Sequence, residues 1–189
     1  MKLSIKKAIA ISLFMPIAVC AKTLTVKSPD GKITLNISDD NSPSYQVLFN
    51  GEEVISSSQL GMSFKDKIGL DNTFTIDSHQ NNAHHSTWQL PWGERKNVVD
   101  SHNELVVTLR SDRKKVNKYT LRFRVFNDGL GFRYEVPKQR GFKSGIEITD
   151  EATEFNIAHQ QDSTAWWIPA RGWNRYEYVY KTTSFKDID

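Results

Sequence analysis

Apolar and polar residues alternate with a period of two over short segments along most of the chain. The clearest segment covers residues 119–126, YTLRFRVF, in which Tyr119, Leu121, Phe123 and Val125 fall on one face and Arg122 and Arg124 fall on the other. This pattern is typical of a β-strand with one buried and one solvated face.

A second alternating segment, residues 132–136, follows after Asn127, Asp128 and Gly129. These three residue types tolerate the positive φ that a tight turn demands. The two segments are therefore predicted to form a β-hairpin.

Similar short segments recur with turn sequences such as SPDG and NG between them, and no stretch sustains a helical period over three turns. Many short strands with regular turns predict an all-β fold, an antiparallel β-sandwich with little helix, and argue against a βαβ fold. The further predicted strands are residues 24–26, 33–37, 45–49, 74–76, 105–109 and 146–148.

The polar segment 80–86 contains His84 and His85 and is predicted to be a long loop. Adjacent histidines point to opposite faces of a strand, and in a loop these two have no partner at the spacing that metal ligands need. The spacing therefore does not support a zinc site.

The first 21 residues have the composition of a secretory signal peptide. Three lysines precede an apolar run over residues 8–19, which is too short for a stable membrane span, and the small residue Ala21 follows. The mature chain is predicted to begin at Lys22 and to be periplasmic or secreted. Lipidation at Cys20 is the alternative, but Val19 is bulky for the residue before a lipidated cysteine.

Removing this leader changes the charge and cysteine content. The leader holds three lysines and no acids, so the net charge of +3 falls to zero, and Cys20 is lost with it. Nucleic-acid binding, which needs a stripe of positive charge, is not expected, and the basic run at 113–115 is interpreted as a solvated turn. No linker or repeat divides residues 22–189, which are predicted to form one domain without disulfides.

The five tryptophans fall in two clusters: Trp88 and Trp92 in WQLPWGE, and Trp166, Trp167 and Trp173 in AWWIPARGWNRYEYVYK. Tryptophan combines an apolar face with an N–H donor, which suits sugar rings and domain interfaces as well as a core. In a strand, the adjacent Trp166 and Trp167 cannot face the same side, so one of them is expected to point away from the core.

In residues 176–180, YEYVY, alternation would place the three tyrosines on one face and Glu177 on the other. A carboxylate is a ligand that calcium prefers, although a solvated surface glutamate fits the pattern too. The chain shows no recognisable hydrolase motif, and the acids that could form a catalytic pair are interpreted as turn or surface residues. These acids are Glu94, Asp128, Asp150, Glu151 and Glu154.

Several longer strings occur in the order seen in the N-terminal domain of glycoside hydrolase family 97, which the chain resembles from about Thr23 to Lys181. The most diagnostic string is FNDGLGFRYE, residues 126–135. The others are SPDGKI, WQLPWGE, NELVVTL, DEATEF, TAWWIPA and NRYEYVYK.

The resemblance implies an exported bacterial α-glucosidase or α-galactosidase. Such an enzyme combines an N-terminal supersandwich related to galactose mutarotase, a catalytic (β/α)8 barrel and a small C-terminal β domain. The catalytic groups belong to the barrel, so no residue of this chain is expected to be catalytic, and residues 22–189 would be the N-terminal domain truncated before the barrel. The resemblance also assigns Glu177 as one ligand of an active-site calcium ion.

Three functions follow as hypotheses. The first is the N-terminal domain of a calcium-dependent α-glycosidase that acts on α-linked oligosaccharides, packs on the barrel and shapes the sugar-binding mouth. The second is a free-standing periplasmic carbohydrate-binding sandwich that uses Trp166, Trp167 and Trp173. The third, a mutarotase-like enzyme using His102 and Glu135, has no supporting motif. A sandwich without its barrel is also expected to expose an apolar patch and to associate.

Overall fold

The computed structural model describes residues 22–65, 70, 74–111, 118–139, 142, 145–169 and 177–188. These residues form the predicted all-β fold, with two short 3-10 turns at Gln160–Asp162 and Phe185–Asp187. The strands are β1 Thr23–Lys27, β2 Ile33–Ser38, β3 Ser44–Phe49, β4 Glu52–Gln59, β5 Met62–Phe64, β6 Phe74–Gln89, β7 Asn97–Ser111, β8 Lys118–Val125, β9 Leu130–Glu135, β10 Ile148–Glu151, β11 Thr164–Trp167 and β12 Lys181–Ser184.

The first four strands form an antiparallel meander in the order β1-β2-β3-β4. Its turns have the residues that their geometry requires. Asn50 and Gly51 connect β3 to β4 with φ of 52° and 89°, a left-handed pair that asparagine and glycine adopt most readily.

The second sheet is an antiparallel meander in the order β6-β7-β8-β9. The predicted hairpin is confirmed: β8 pairs with β9 from Thr120–Glu135 to Val125–Leu130, and the amide of Phe126 donates to the carbonyl of Gly129 at 2.8 Å. Local alternation and turn chemistry were sufficient to predict this unit.

The inward faces of the two sheets share one hydrophobic core. Polar contacts also tie the sheets together: Asp39 accepts hydrogen bonds from the amides of Lys22 and Ile76, Asn127 accepts one from the amide of Asp30, and the amide group of Asn103 donates one to the carbonyl of Lys27. The fully buried residues include Leu35, Ile37, Leu105, Val107, Leu109, Leu121, Phe123 and Val125.

The prediction of a loop at residues 80–86 is wrong. This segment lies inside β6, which pairs with β7 without interruption from Ser78–Thr108 to Gln89–Asn97. Most of these side chains are exposed, so no apolar alternation identified the strand. The backbone hydrogen bonds to β7 hold the segment extended.

The remaining strands form two small ladders, β5 with β10 and β11 with β12. The strand predicted at 146–148 begins later, because β10 covers Ile148–Glu151 and its register with β5 shifts between Ile148 and Asp150. The predicted leader (residues 1–21), the basic run at 113–115 and Trp173 lie outside the described residues. Within the described ranges, no helix is long and apolar enough to cross a membrane.

Candidate functional site

The β11–β12 ladder positions most of the predicted site residues. Its register places Trp166 opposite Thr182 and Trp167 opposite Lys181. The amide of Phe185 donates to the carbonyl of Ser163 at 3.2 Å, which joins the two strands at their far end. This short ladder therefore fixes which tryptophan faces solvent.

Trp166 and Tyr180 form a two-ring aromatic surface. Their ring centroids lie 4.2 Å apart with an interplanar angle of 12°, and 69% of Trp166 is exposed. Stacked aromatic rings offer a broad, rigid apolar face. Such a face can contact the C–H face of a sugar ring.

Trp167 points to the other side of β11, as the sequence predicted for one of this pair. Its indole Nε1 donates a hydrogen bond to Thr183 Oγ1 at 3.0 Å, and the ammonium of Lys181 lies 5.2 Å from its ring centroid. The half-buried Trp167 thus anchors the ladder, and the exposed Trp166 is the tryptophan of this pair that is available to a ligand.

Residues 177–180 do not form the predicted alternating strand, because the ladder with β11 begins only at Lys181. Without a partner strand beside it, this segment has no ladder hydrogen bonds to hold an alternating conformation. All four of its side chains are exposed, including Glu177 and Val179. Glu177 therefore lies on the same connecting segment as Tyr180, three residues before it.

The described residues do not form a calcium site by themselves. Among them, no group of three or more His, Cys, Asp or Glu side chains is arranged to hold a metal ion. Calcium takes six to eight oxygen ligands. The exposed carboxylate of Glu177 fits the role of one such ligand, provided that the others come from elsewhere.

Trp88 and Trp92 are not core residues, since 47% and 85% of them are exposed. Both lie at the turn end of the β6–β7 hairpin, Trp88 in β6 and Trp92 in the connection. Of the alternatives that the sequence left open for the tryptophans, a place in the core is therefore excluded for these two and for Trp166.

Sequence reasoning missed a charged network on the outer face of β7, β8 and β9. Arg122 lies at its centre, with Nη1 2.8 Å from Glu104 Oε1 and Nε 2.7 Å from Glu135 Oε1. Arg124 and Arg133 approach the same two carboxylates from either side. Alternation placed these arginines outward, but only the strand register shows which acid each one meets.

The contacts in this network shift the pKa values of Glu104, Glu135 and Arg122 in the directions that favour their charged forms. Burial raises the pKa of Glu104, but hydrogen bonds from Arg122, Asn82 and Arg124 outweigh it, so this pKa lies below its ordinary value. Hydrogen bonding from Arg122 is the main cause of the lowered pKa of Glu135. The same bonds raise the pKa of Arg122, so all three groups are charged at neutral pH.

A histidine cluster continues this face at the adjoining end of the sheet. The ring of the buried His102 lies 5.0 Å from that of His84 and 4.9 Å from that of Phe126, and His102 Nδ1 hydrogen-bonds to Asp100. His84 Nε2 lies 3.0 Å from Ser86 Oγ.

The mutarotase hypothesis needs His102 and Glu135 to act as an acid and base pair. Their contacts differ: His102 bonds to Asp100, whereas Glu135 is occupied by Arg122 and Arg133. The geometry gives this hypothesis no support.

The sequence matches a known protein family over most of its length. The profile of the family described as "Glycosyl-hydrolase 97 N-terminal" matches residues 26–189. A retaining alpha-galactosidase of Bacteroides thetaiotaomicron is 19% identical over 129 residues, which cover 68% of this chain and 19% of the galactosidase.

The similar solved structures include an enzyme of glycoside hydrolase family 97. A glycoside hydrolase family 97 enzyme from Pseudoalteromonas sp. strain K8, solved in complexes with panose and with acarbose, is 50% identical with a TM-score of 0.81, over 87% of this chain and 25% of the enzyme. A beta-arabinopyranosidase is 28% identical with a TM-score of 0.71, over 84% of this chain and 26% of that one. The chain thus spans about a quarter or less of the length of these relatives.

Proposed function

The chain belongs to the glycosyl hydrolase 97 N-terminal family, and from this premise we propose that it is the non-catalytic N-terminal domain of an exported, calcium-dependent α-glycosidase. The proposal depends mainly on the family match over residues 26–189. In this function, residues 22–189 pack on a catalytic barrel and help to form the mouth of its sugar site.

The exposed aromatic face of the β11–β12 region supports this role. Trp166 and Tyr180 offer a stacked aromatic face that suits a sugar ring at the mouth. Trp173 is proposed as a further contact in the same sequence cluster, and Trp167 supports the platform through its bond to Thr183.

Glu177 is proposed as the calcium ligand that this domain supplies. Bound calcium would polarise substrate oxygens and stabilise the charge that develops as a glycosidic bond breaks. Glu177 would contribute carboxylate oxygen to the ion. Its side chain is exposed, so its carboxylate is accessible to an ion.

The substrate proposed for the parent enzyme is an α-linked oligosaccharide, and an α-glucoside more readily than an α-galactoside. The enzyme solved with panose, an oligosaccharide of glucose, is 50% identical to this chain, whereas the retaining alpha-galactosidase is 19% identical.

The test is hydrolysis of panose, as a function of calcium concentration, by the polypeptide that contains this chain. Glu177→Gln keeps the shape of the side chain and removes its charge, so we expect the calcium concentration for half-maximal rate to rise about tenfold, the factor that corresponds to ~1.4 kcal/mol. Glu147→Gln is the matched control, because Glu147 is also an exposed glutamate and forms an ion pair with Lys65, the residue after β5. Calcium-independent hydrolysis, or an equal effect of both substitutions, would contradict the proposal.

A free-standing carbohydrate-binding protein is the second candidate, favoured by the exposure of the Trp166–Tyr180 pair. Isothermal titration of panose into the purified chain separates the two. Binding that Trp166→Ala abolishes would favour the binding protein, whereas absence of binding by the chain alone, with activity in the longer polypeptide, would favour the enzyme domain.

A further inference from the structure

The outer face of the second sheet carries a shallow pocket of about 350 Å³ that the proposed function does not use. No residue of β11 or β12 lines it. The residues that line it are Arg122, Arg124, Phe126, Gly131, Phe132 and Arg133. We refer to it as the arginine pocket.

The arginine pocket exists because residue 131 has no side chain. Gly131 pairs with Arg124 across the β8–β9 ladder and shares the outward face of β9 with Arg133 and Glu135. A Cβ built at Gly131 would meet no atom within 4 Å, and its φ is not in the left-handed region. A larger residue could therefore be accommodated by the fold, and its side chain would fill the pocket.

Two of the three arginines retain donors that can face a ligand. Arg122 uses Nε, Nη1 and Nη2 on Glu104 and Glu135. Arg124 bonds to Glu104 through Nε, and Arg133 bonds to Glu135 through Nε and Nη2. Within the described part of the chain, both Nη atoms of Arg124 and Nη1 of Arg133 have no hydrogen-bond partner.

The charge of the cluster selects among anions. Three arginines and two glutamates leave a net charge of +1. A ligand carboxylate is planar and carries one negative charge, so it matches both the planar guanidinium groups and the net charge of the cluster. A doubly charged phosphate would be repelled more strongly by the carboxylates of Glu104 and Glu135.

Phe126 adds an apolar wall beside these donors. Its ring is half-buried, contacts His102 at 4.9 Å between centroids, and lines the pocket. A ligand that combines a carboxylate with a ring that has a C–H face can use both features. We propose that the arginine pocket binds an acidic sugar of the hexuronate class, with its carboxylate between Arg124 and Arg133 and its ring beside Phe126.

The proposal does not depend on calcium, the barrel or Glu177, so it can fail without affecting the proposed function. Its test is titration of the purified protein with glucuronate, monitored by calorimetry and by amide chemical shifts. Glucose has the same ring without the carboxylate, and inorganic phosphate is an anion without a ring. We expect glucuronate to bind at least tenfold more tightly than either, with shifts centred on residues 124–133.

Three variants locate the site. The double substitution Arg124→Gln with Arg133→Gln should weaken glucuronate binding at least tenfold. Gly131→Gln retains every charge and should block binding by filling the pocket, which keeps the test informative if the double variant unfolds. Arg110→Gln is the control, because Arg110 is an exposed arginine of β7 that pairs with Asp77.

Several results would overturn the proposal. They are equal affinity for glucose and glucuronate, phosphate binding as tight as that of glucuronate, no binding at all, or an effect of Arg110→Gln equal to that of the double variant. Retention of binding by a folded Gly131→Gln variant would equally exclude this pocket as the site.

Discussion

Arg122 shows how individual residues stabilise the outer face of the second sheet. Its guanidinium bridges Glu104 on β7 and Glu135 on β9, so one side chain connects three neighbouring strands. Bidentate, charge-assisted contacts of this kind are stronger than ordinary surface ion pairs. Glu104 matters most among the acids, because its side chain is only 10% exposed and would be costly to leave unpaired.

The lowered pKa values of Glu104 and Glu135 predict acid sensitivity. In the unfolded chain a glutamate titrates near its ordinary value of 4.5. Because the folded-state values are lower, the stabilisation is complete above about pH 4.5 and is lost as the pH falls through the folded-state pKa. Glu104→Gln should cost about 1–3 kcal/mol at pH 7 and should reduce the loss of stability between pH 5 and pH 3.

Urea unfolding at a series of pH values measures both effects. Glu52→Gln is the matched control, because Glu52 is an exposed glutamate of β4 that lies outside the network around Arg122. A Glu104→Gln profile parallel to that of the wild type would show that the carboxylate does not contribute to acid sensitivity.

In the β6–β7 hairpin, only part of β7 is paired with a third strand. β7 pairs with β8 only from Asn103 to Arg110, so the portion of the hairpin from Asn97 to His102 lacks this third strand. A two-stranded hairpin is marginally stable in water, and this portion is largely exposed. The hairpin end carrying Trp88 and Trp92 is therefore less stable than the sheet.

Amide hydrogen exchange should resolve this difference. We expect residues 85–89 and 97–101 to exchange at least about tenfold faster than residues 105–109, whose opening requires disruption of the core. Mass spectrometry of peptides from the two regions measures the rates within one sample, so the core strand is the internal control. Equal protection would mean that another part of the molecule supports the hairpin end.

The success of sequence prediction varied among the elements for a physical reason. The β8–β9 hairpin was predictable because its alternation and its turn at Asn127–Gly129 are local properties. The distal part of β6 was not, because its extended conformation depends on pairing with β7 and no apolar face marks it. Long-range pairing leaves little local signal in a polar strand.

In the candidate site too, the features that depend on local sequence were predictable and those that depend on strand register were not. The alternation at Trp166 and Trp167 predicted that they face opposite sides, and the structure confirms this. The stack of Trp166 on Tyr180 depends on the β11–β12 register, and the network around Arg122 depends on the register of three strands. Neither register could be derived from residue spacing.

At the scale of the whole molecule, the described residues of the sandwich leave an apolar cleft at its surface. Its volume is about 750 Å³, and it is lined largely by apolar residues of β3, β4, β9 and the segment 151–155. Phe49, Val54 and Phe155 line it and are each at least 45% exposed. Among the described residues, β9 pairs only with β8, so its outer edge presents backbone groups beside the cleft.

An apolar cleft beside a free strand edge predicts self-association of the chain. We expect the average mass measured by light scattering to rise with protein concentration, because contact between molecules would remove this surface from water. Val54→Lys should suppress the rise by placing a charge in the cleft, whereas Thr75→Lys, on an exposed position of β6, adds the same charge elsewhere and should not. A constant monomer mass for the wild type, or equal suppression by both lysines, would show that the cleft does not drive association and that net charge alone controls it.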